Sequence, residues 1–311
     1  MAAGRPIASA VDLPAQLRRR KHWDRWFALL SMLLMLIAVM TLIVLLAQLI
    51  NDGLPRLNGE FLTRFPSRFP ERAGIYSAWI GTLLVMLVTA VVAVPLGVAA
   101  GLYLEEYAGR NWINDVIEIN VSNLAGIPSI IYGLLALGLF VYRLNLGQSI
   151  AAAGLTLALL IIPVVIVATR EAVRAVPRDI REAAYALGAT QWQMLAHHVL
   201  PYSSGGIMTG IIIGLSRAIG ETAPVITIGA LTFIAFLPEA PFTSEFPYLN
   251  FAWLEAPFTV LPIQMFNWLS RPQSDFQANA AAAGLVLIMM TLLMNALAIY
   301  LRYRYRRRIR W

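Results

Sequence analysis

Long uncharged apolar runs alternate along this chain with short segments in which most of its charges collect. A helix needs about 20 apolar residues to cross roughly 30 Å of hydrocarbon. Six runs meet that length, at about 27–50, 76–104, 122–142, 148–169, 206–236 and 278–301. The pattern predicts an all-α membrane protein with six transmembrane helices. The first run is too long for a signal-peptide core, and no small-residue cleavage site follows it. Pro95, Pro128 and Pro163 fall inside spans two to four, where they bend membrane helices. The expected organisation is a basic arm over 1–26, a six-span domain over 27–303 and a basic tail over 304–311. Loops of note are 170–204 and 237–277. The latter holds Pro238, Pro241, Pro247, Pro257 and Pro262 and is too proline-broken for a span. Within it, Phe258–Leu269 is expected to form a short interfacial helix.

Composition agrees. The chain of 311 residues is 59% hydrophobic and only 13% charged, with a mean hydropathy of +0.68. Soluble domains carry about a quarter charged residues. The absence of cysteine excludes disulfides and thiolate metal sites. The net charge of +7 invites a nucleic-acid reading, but the basic residues flank apolar runs, so membrane orientation explains them better. Six spans put both termini on one side. With the ends taken as cytoplasmic, 17 of the 24 Lys and Arg residues lie inside and six outside; Arg217 lies within a span. Both ends are therefore expected in the cytoplasm. Trp23, Trp26 and Tyr300 suit interface anchors, and the tail suits anionic lipid.

The loop between spans four and five reads VPRDIREAAYALGATQWQMLAHHVLP, Val176–Pro201. Pro177 suits a helix start, and Gly188 suits the left-handed position that closes a helix. Thr190 then caps a second helix, with Gln193 as its capping-box partner, and Pro201 is expected to end it. Small Ala183 and Ala184 beside Arg178, Arg181 and Glu182 offer a surface that another protein can approach closely, with charges to set register. An amphipathic loop lying on the bilayer is the plainer reading. A helix-turn-helix DNA reader matches the local shape, but a tether between two membrane spans argues against it. Adjacent His197 and His198 point apart on a helix and make no metal site. Asp115 and Glu118, near the start of WINDVIEINV, suit a helix N-terminus.

Glu182-Ala183-Ala184, then Gly188, then Leu200-Pro201 resembles the EAA loop of ABC importer permeases. His198 stands where that family has an aliphatic residue. AGLYLEEY (100–107), IPSIIYGL (127–134), REAAYALGAT (181–190), SRAIGETAP (216–224) and LPIQMF (261–266) resemble the phosphate-import branch of the family, over about residues 27–303. The resemblance implies the type I ABC importer permease fold. It implies that Arg181, Glu182, Ala183, Ala184, Gly188, Leu200 and Pro201 belong to a coupling helix that docks on an ATPase. It also implies a PstC-like homologous permease subunit, a PstB-like ATPase dimer and a PstS-like periplasmic phosphate-binding protein. The lone lysine, Lys21, leaves no G-x-x-x-x-G-K-[ST] phosphate loop. ATP and Mg are thus expected on the partner ATPase, with no cofactor and no catalysis in this chain.

In the fifth span Gly206, Gly210 and Gly214 repeat every four residues, as in closely packed membrane helices. On a continuous helix Arg217, Glu221 and Pro224 share their face. An arginine roughly 16 Å along the helix from Gly206 costs at least about 2.5–3.5 kcal/mol to insert, and Glu221 at i,i+4 offsets that. A pair that only fixes packing is one reading. The other is an anion site, because guanidinium is planar, always charged and bidentate to two oxygens. On that reading Arg217 contacts phosphate, Glu221 is its resting counter-ion and Thr222 adds a hydroxyl. Charge alone serves sulfate almost as well. A secondary transporter or channel leaves the EAA loop unexplained, and a phosphate-sensing scaffold is an added role rather than a rival. Chains of this kind often carry an arginine a few residues after the proline of span four. Here Val164, Val165, Ile166 and Val167 follow Pro163. Whether Arg170 replaces that charge is open, and it is not placed in the path.

Overall fold

The computed structural model describes residues 13–109, 111–241, 248 and 250–306. Arg5, Arg110, Pro247, Arg307, Arg308 and Arg310 lie outside the described residues. The described chain is helical, and its one extended pairing is a single bridge between Ser149 and Pro257. It divides into two units, 1–51 and 52–311. The first is built on helix α1 (Leu13–Gly53). Trp23, Phe27, Leu34, Ile43 and their neighbours leave it apolar on every side and exposed, as a helix surrounded by lipid is.

In the second unit, α2 (Gly59–Thr63) and α3 (Tyr76–Leu102) precede a bent pair, α4 (Trp112–Leu124) and α5 (Ser129–Ala136). Then come α6 (Ile150–Arg174), α7 (Arg178–Ala186), α8 (Gln191–Met194), α9 (Leu200–Gly220), α10 (Ala223–Ile228), α11 (Leu261–Leu269) and α12 (Asp275–Arg306). Among the described residues of both units, five helices are long and apolar enough to cross a membrane, or six if the bent pair counts as one span.

Helix α6 is the central element. Glycines bring its neighbours to backbone distance: a Cβ on Gly97 or Gly101 of α3 would stand 2.8 or 2.7 Å from Val165 or Thr169. From the other side, a Cβ on Gly206 or Gly210 of α9 would stand 2.6 or 2.2 Å from the Ala172 or Ala168 methyl. Gly214 is looser, at 3.4 Å from Val165. The glycine stripe therefore packs α9 onto α6.

Three expectations change. The third span is not one helix over 122–142: α4 and the helix from Ser129 to Arg143 meet at 107°. Pro128 has no N–H, and it disfavours helical geometry at Ile127. The Tyr132 hydroxyl bridges the break by donating to Leu124 O at 2.8 Å. The fifth span does not run to 236 as a helix, because α9 stops at Gly220 and α10 ends at Gly229, where φ is +97°. The outer-loop helix starts at Leu261, not Phe258, and one face of it is buried in the protein. Leu261, Pro262, Ile263, Gln264 and Trp268 are all buried, with Trp268 against Phe61 and Phe276. Extended Phe258–Val260 precedes it because the chain presses on α3 there. A Cβ on Gly81 would stand 2.1 Å from Thr259 O, and Leu261 N–H donates to the Thr82 hydroxyl at 2.9 Å.

Candidate functional sites

The Val176–Pro201 loop folds into an elbow. Pro177 stands just ahead of α7, and Gly188 closes that helix at φ +80°. Ala189 N–H reaches Ala184 O at 3.1 Å and Gly188 N–H reaches Tyr185 O at 2.9 Å, the paired bonds of a Schellman closure. Thr190 and Gln193 form the capping box of α8. Pro201 does not end that helix. A wide π-turn over Leu195–Val199 leads directly into α9, with Pro201 in its first turn. The widened turn absorbs a residue that cannot donate to the preceding turn.

Glu182 and Ala183 are exposed on α7 while Ala184 is buried. Arg181 turns inward. Its guanidinium donates to Glu106 at 2.7 and 3.1 Å and to the carbonyls of Val176 and Val173 at 2.6 and 2.9 Å. At the elbow tip Leu187 is 90% exposed, a large apolar side chain that sequence reading passed over.

Behind the elbow lies a cluster that the sequence reading also missed. A π-turn over Tyr103–Tyr107 extends α3 and carries Glu105 and Glu106. Arg170, only 7% exposed, meets Glu105 at 3.4 Å and Glu118 at 2.7 Å. Arg174 reaches the same Glu105 at 3.0 Å. Glu118, expected to serve the helix dipole, is instead an ion-pair partner from the second turn of α4. These groups line a cavity of about 740 Å³ that also borders Arg178 and Glu182. The LEEY segment was the available signal, but its partners are 65 or more residues away in sequence.

The second site lies at the interruption of the fifth span. Arg217 Nε donates to Glu221 Oε1 at 3.2 Å, and their side chains are 39% and 18% exposed. Glu221 is already extended, at φ −73° and ψ 121°, so the pair closes a helix end rather than lying along a continuous face. Thr222 opens α10, with its hydroxyl 3.5 Å from Gly220 O. Pro224 is buried in the first turn of α10, where a missing N–H costs nothing. It therefore does not kink a continuous span. Helix α5 lies directly on α10: a Cβ on Gly133 would stand 1.8 Å from the Thr227 hydroxyl and 2.7 Å from Pro224 Cα. The interruptions of spans three and five thus abut. Interrupted membrane helices leave backbone groups that only a cavity or a protein interior tolerates.

Residues 93–311 match the family model described as binding-protein-dependent transport system inner membrane component. The chain belongs to that permease family. The phosphate transport system permease protein PstA of Yersinia pestis is 32% identical over 90% of this chain and 92% of its own length. PstA of Mycobacterium leprae is 31% identical over 98% of this chain and 96% of its own. A bacterial ABC transporter involved in the import of the acidic polysaccharide alginate superposes with a TM-score of 0.60, covering 92% of this chain and 99% of that one at 16% identity. The chain is thus a PstA-like permease: a multi-pass inner-membrane transport subunit, not an enzyme, with the type I ABC importer permease fold. Membership of a binding-protein-dependent ABC system implies an ATPase and a binding protein as partners.

Proposed function

We propose that this chain is the permease subunit of an ATP-driven phosphate importer and forms half of the translocation path. The observation that carries the reading is the Arg217–Glu221 pair, set where the fifth span is interrupted. Arg217 is the anion contact, Glu221 its counter-ion when the path is empty, and Thr222 a supplementary hydroxyl. A partly exposed guanidinium beside a carboxylate can exchange that carboxylate for a passing oxyanion without ever being left unpaired. The relatives named as phosphate transport permeases favour phosphate over sulfate.

The Glu182–Gly188 elbow docks in a PstB-like ATPase dimer, which binds ATP and Mg. A PstC-like subunit supplies the other half of the path, and a PstS-like protein delivers phosphate from outside. Both termini lie in the cytoplasm, on the side of the elbow. Gly206, Gly210 and Gly214 hold α9 against α6 beneath the site. The test is uptake of labelled phosphate against labelled sulfate by vesicles containing the assembled complex. ATP-dependent accumulation of phosphate is expected. Preferential accumulation of sulfate, or uptake that ignores ATP, overturns the reading.

A further inference from the structure

Helix α4 buries no residue against the rest of this chain, so within the chain apolar packing contributes little to its position. Among the described residues its one ion pair is Glu118–Arg170, at 2.7 Å. Its far end is tied to α5 by the Tyr132–Leu124 hydrogen bond. Arg170, in contrast, sits in the core helix α6 and is almost fully buried. It shares Glu105 with Arg174, and the next residue, Glu106, holds Arg181 of the elbow helix α7.

These contacts form one unbroken line from the elbow to the third-span break. Resting on the importer reading above, we propose that Glu118 is a positioning residue. Through Arg170 it makes α4 follow the elbow, so that ATPase-driven movement is delivered to the α4–α5 break and, through Gly133, to α10 beside Arg217. A charge pair suits this task better than apolar packing. It fixes one distance while leaving the exposed helix free to pivot about it. Glu118 makes the shorter of the two contacts to the buried Arg170, 2.7 Å against 3.4 Å for Glu105.

Loss of the Glu118 charge does not orphan Arg170, which retains Glu105, so Glu118→Gln is expected to fold and to assemble with the ATPase. The experiment measures phosphate taken up per ATP hydrolysed by the full complex in vesicles. Glu118→Gln should lower that ratio by roughly tenfold, the scale of one charge-assisted bond, while Glu118→Asp recovers most of it. A general structural defect lowers complex yield instead and leaves the ratio per assembled complex unchanged.

This chain has no cysteine, so in a complex whose partners carry none a single spin label at exposed Asn120→Cys reports on α4 alone. In the wild-type background its mobility should differ between nucleotide-free and ATP-trapped complexes; with Glu118→Gln it should be the same in both. An unchanged uptake ratio with an unchanged label response overturns the relay. If Glu118→Gln does not accumulate, the same two readouts on Glu118→Ala decide, and wild-type values of both overturn it. A wild-type complex that moves no phosphate removes the importer reading and the relay with it. A wild-type complex that transports beside an indifferent variant removes the relay alone.

Discussion

Arg217 reaches Glu221 across a helix end, with Nε and Oε1 3.2 Å apart. The pair therefore depends on the turn at Gly220 as much as on helical spacing. Because the arginine is partly exposed while its carboxylate is more enclosed, Arg217 is the member free to change partners. Replacing Arg217 with Gln should reduce ATP-dependent phosphate uptake by about ten- to a hundredfold, the loss of a charged hydrogen bond to a charged ligand. Assembly with the ATPase should persist. Lys should rescue only in part, since an ammonium cannot bind two oxygens in the planar fork. Uptake at the wild-type rate by Arg217→Gln would place the anion contact elsewhere.

Glycines on α9 should respond unequally. A Cβ at Gly210 would stand 2.2 Å from the Ala168 methyl, whereas one at Gly205 meets nothing within 4 Å. Gly210→Leu must push α9 away from α6 and should cost about 1–3 kcal/mol, as overpacking does. Gly205→Ala should be neutral or stabilising by up to about 1 kcal/mol, from reduced backbone freedom in the unfolded chain. Thermal unfolding of the purified protein in one detergent separates the two. Equal shifts would mean that the helices do not touch along this stripe.

How far the chain could be read in advance depended on the range of the signal. The elbow was legible because its chemistry is local: Gly188 at φ +80° and the Thr190–Gln193 box each lie within a few residues. The glycine stripe on α9 was legible because spacing of four marks one helix face. Pro128 marked a bend in span three, but neither its 107° angle nor the stop at Glu221 could be read. Hydropathy averaged over a span does not register the single extended residue, Glu221, that ends α9, so the helical period was carried on to Pro224. Pro201 was read as a stop because a π-turn ahead of it leaves no mark in composition. The Glu105–Arg170–Glu118 cluster joins three helices, and nothing in one segment announces its partners in another.

Gly188 tests the elbow separately from the fold. Its Cβ position is open, with nothing within 4 Å, so the cost of substitution is backbone strain at positive φ. A β-branched residue there should cost about 1–3 kcal/mol, too little to unfold a chain anchored by several membrane helices. Gly188→Val should therefore insert normally, yet redirect α7 against α8 and lose both ATPase co-purification and uptake. Normal uptake by this variant would remove the elbow as the docking surface.

The contact between α5 and α10 yields the most exacting variant. A Cβ on Gly133 would stand 1.8 Å from the Thr227 hydroxyl, 2.7 Å from Pro224 Cα and 2.9 Å from Pro224 O. A side chain can rotate away, but a buried proline backbone at the start of α10 cannot. Gly133→Ala should therefore separate the two interruptions by displacing α10, and with it Glu221 from Arg217. Uptake should fall at least about tenfold, on the scale of a loosened charged contact, with a loss of about 1–3 kcal/mol in stability. Adding Thr227→Ala removes the hydroxyl but not the Pro224 contacts, so the double variant should recover little. Full recovery of uptake in the double variant would show that only the hydroxyl was obstructed, and that the α5–α10 backbone contact does not hold the site.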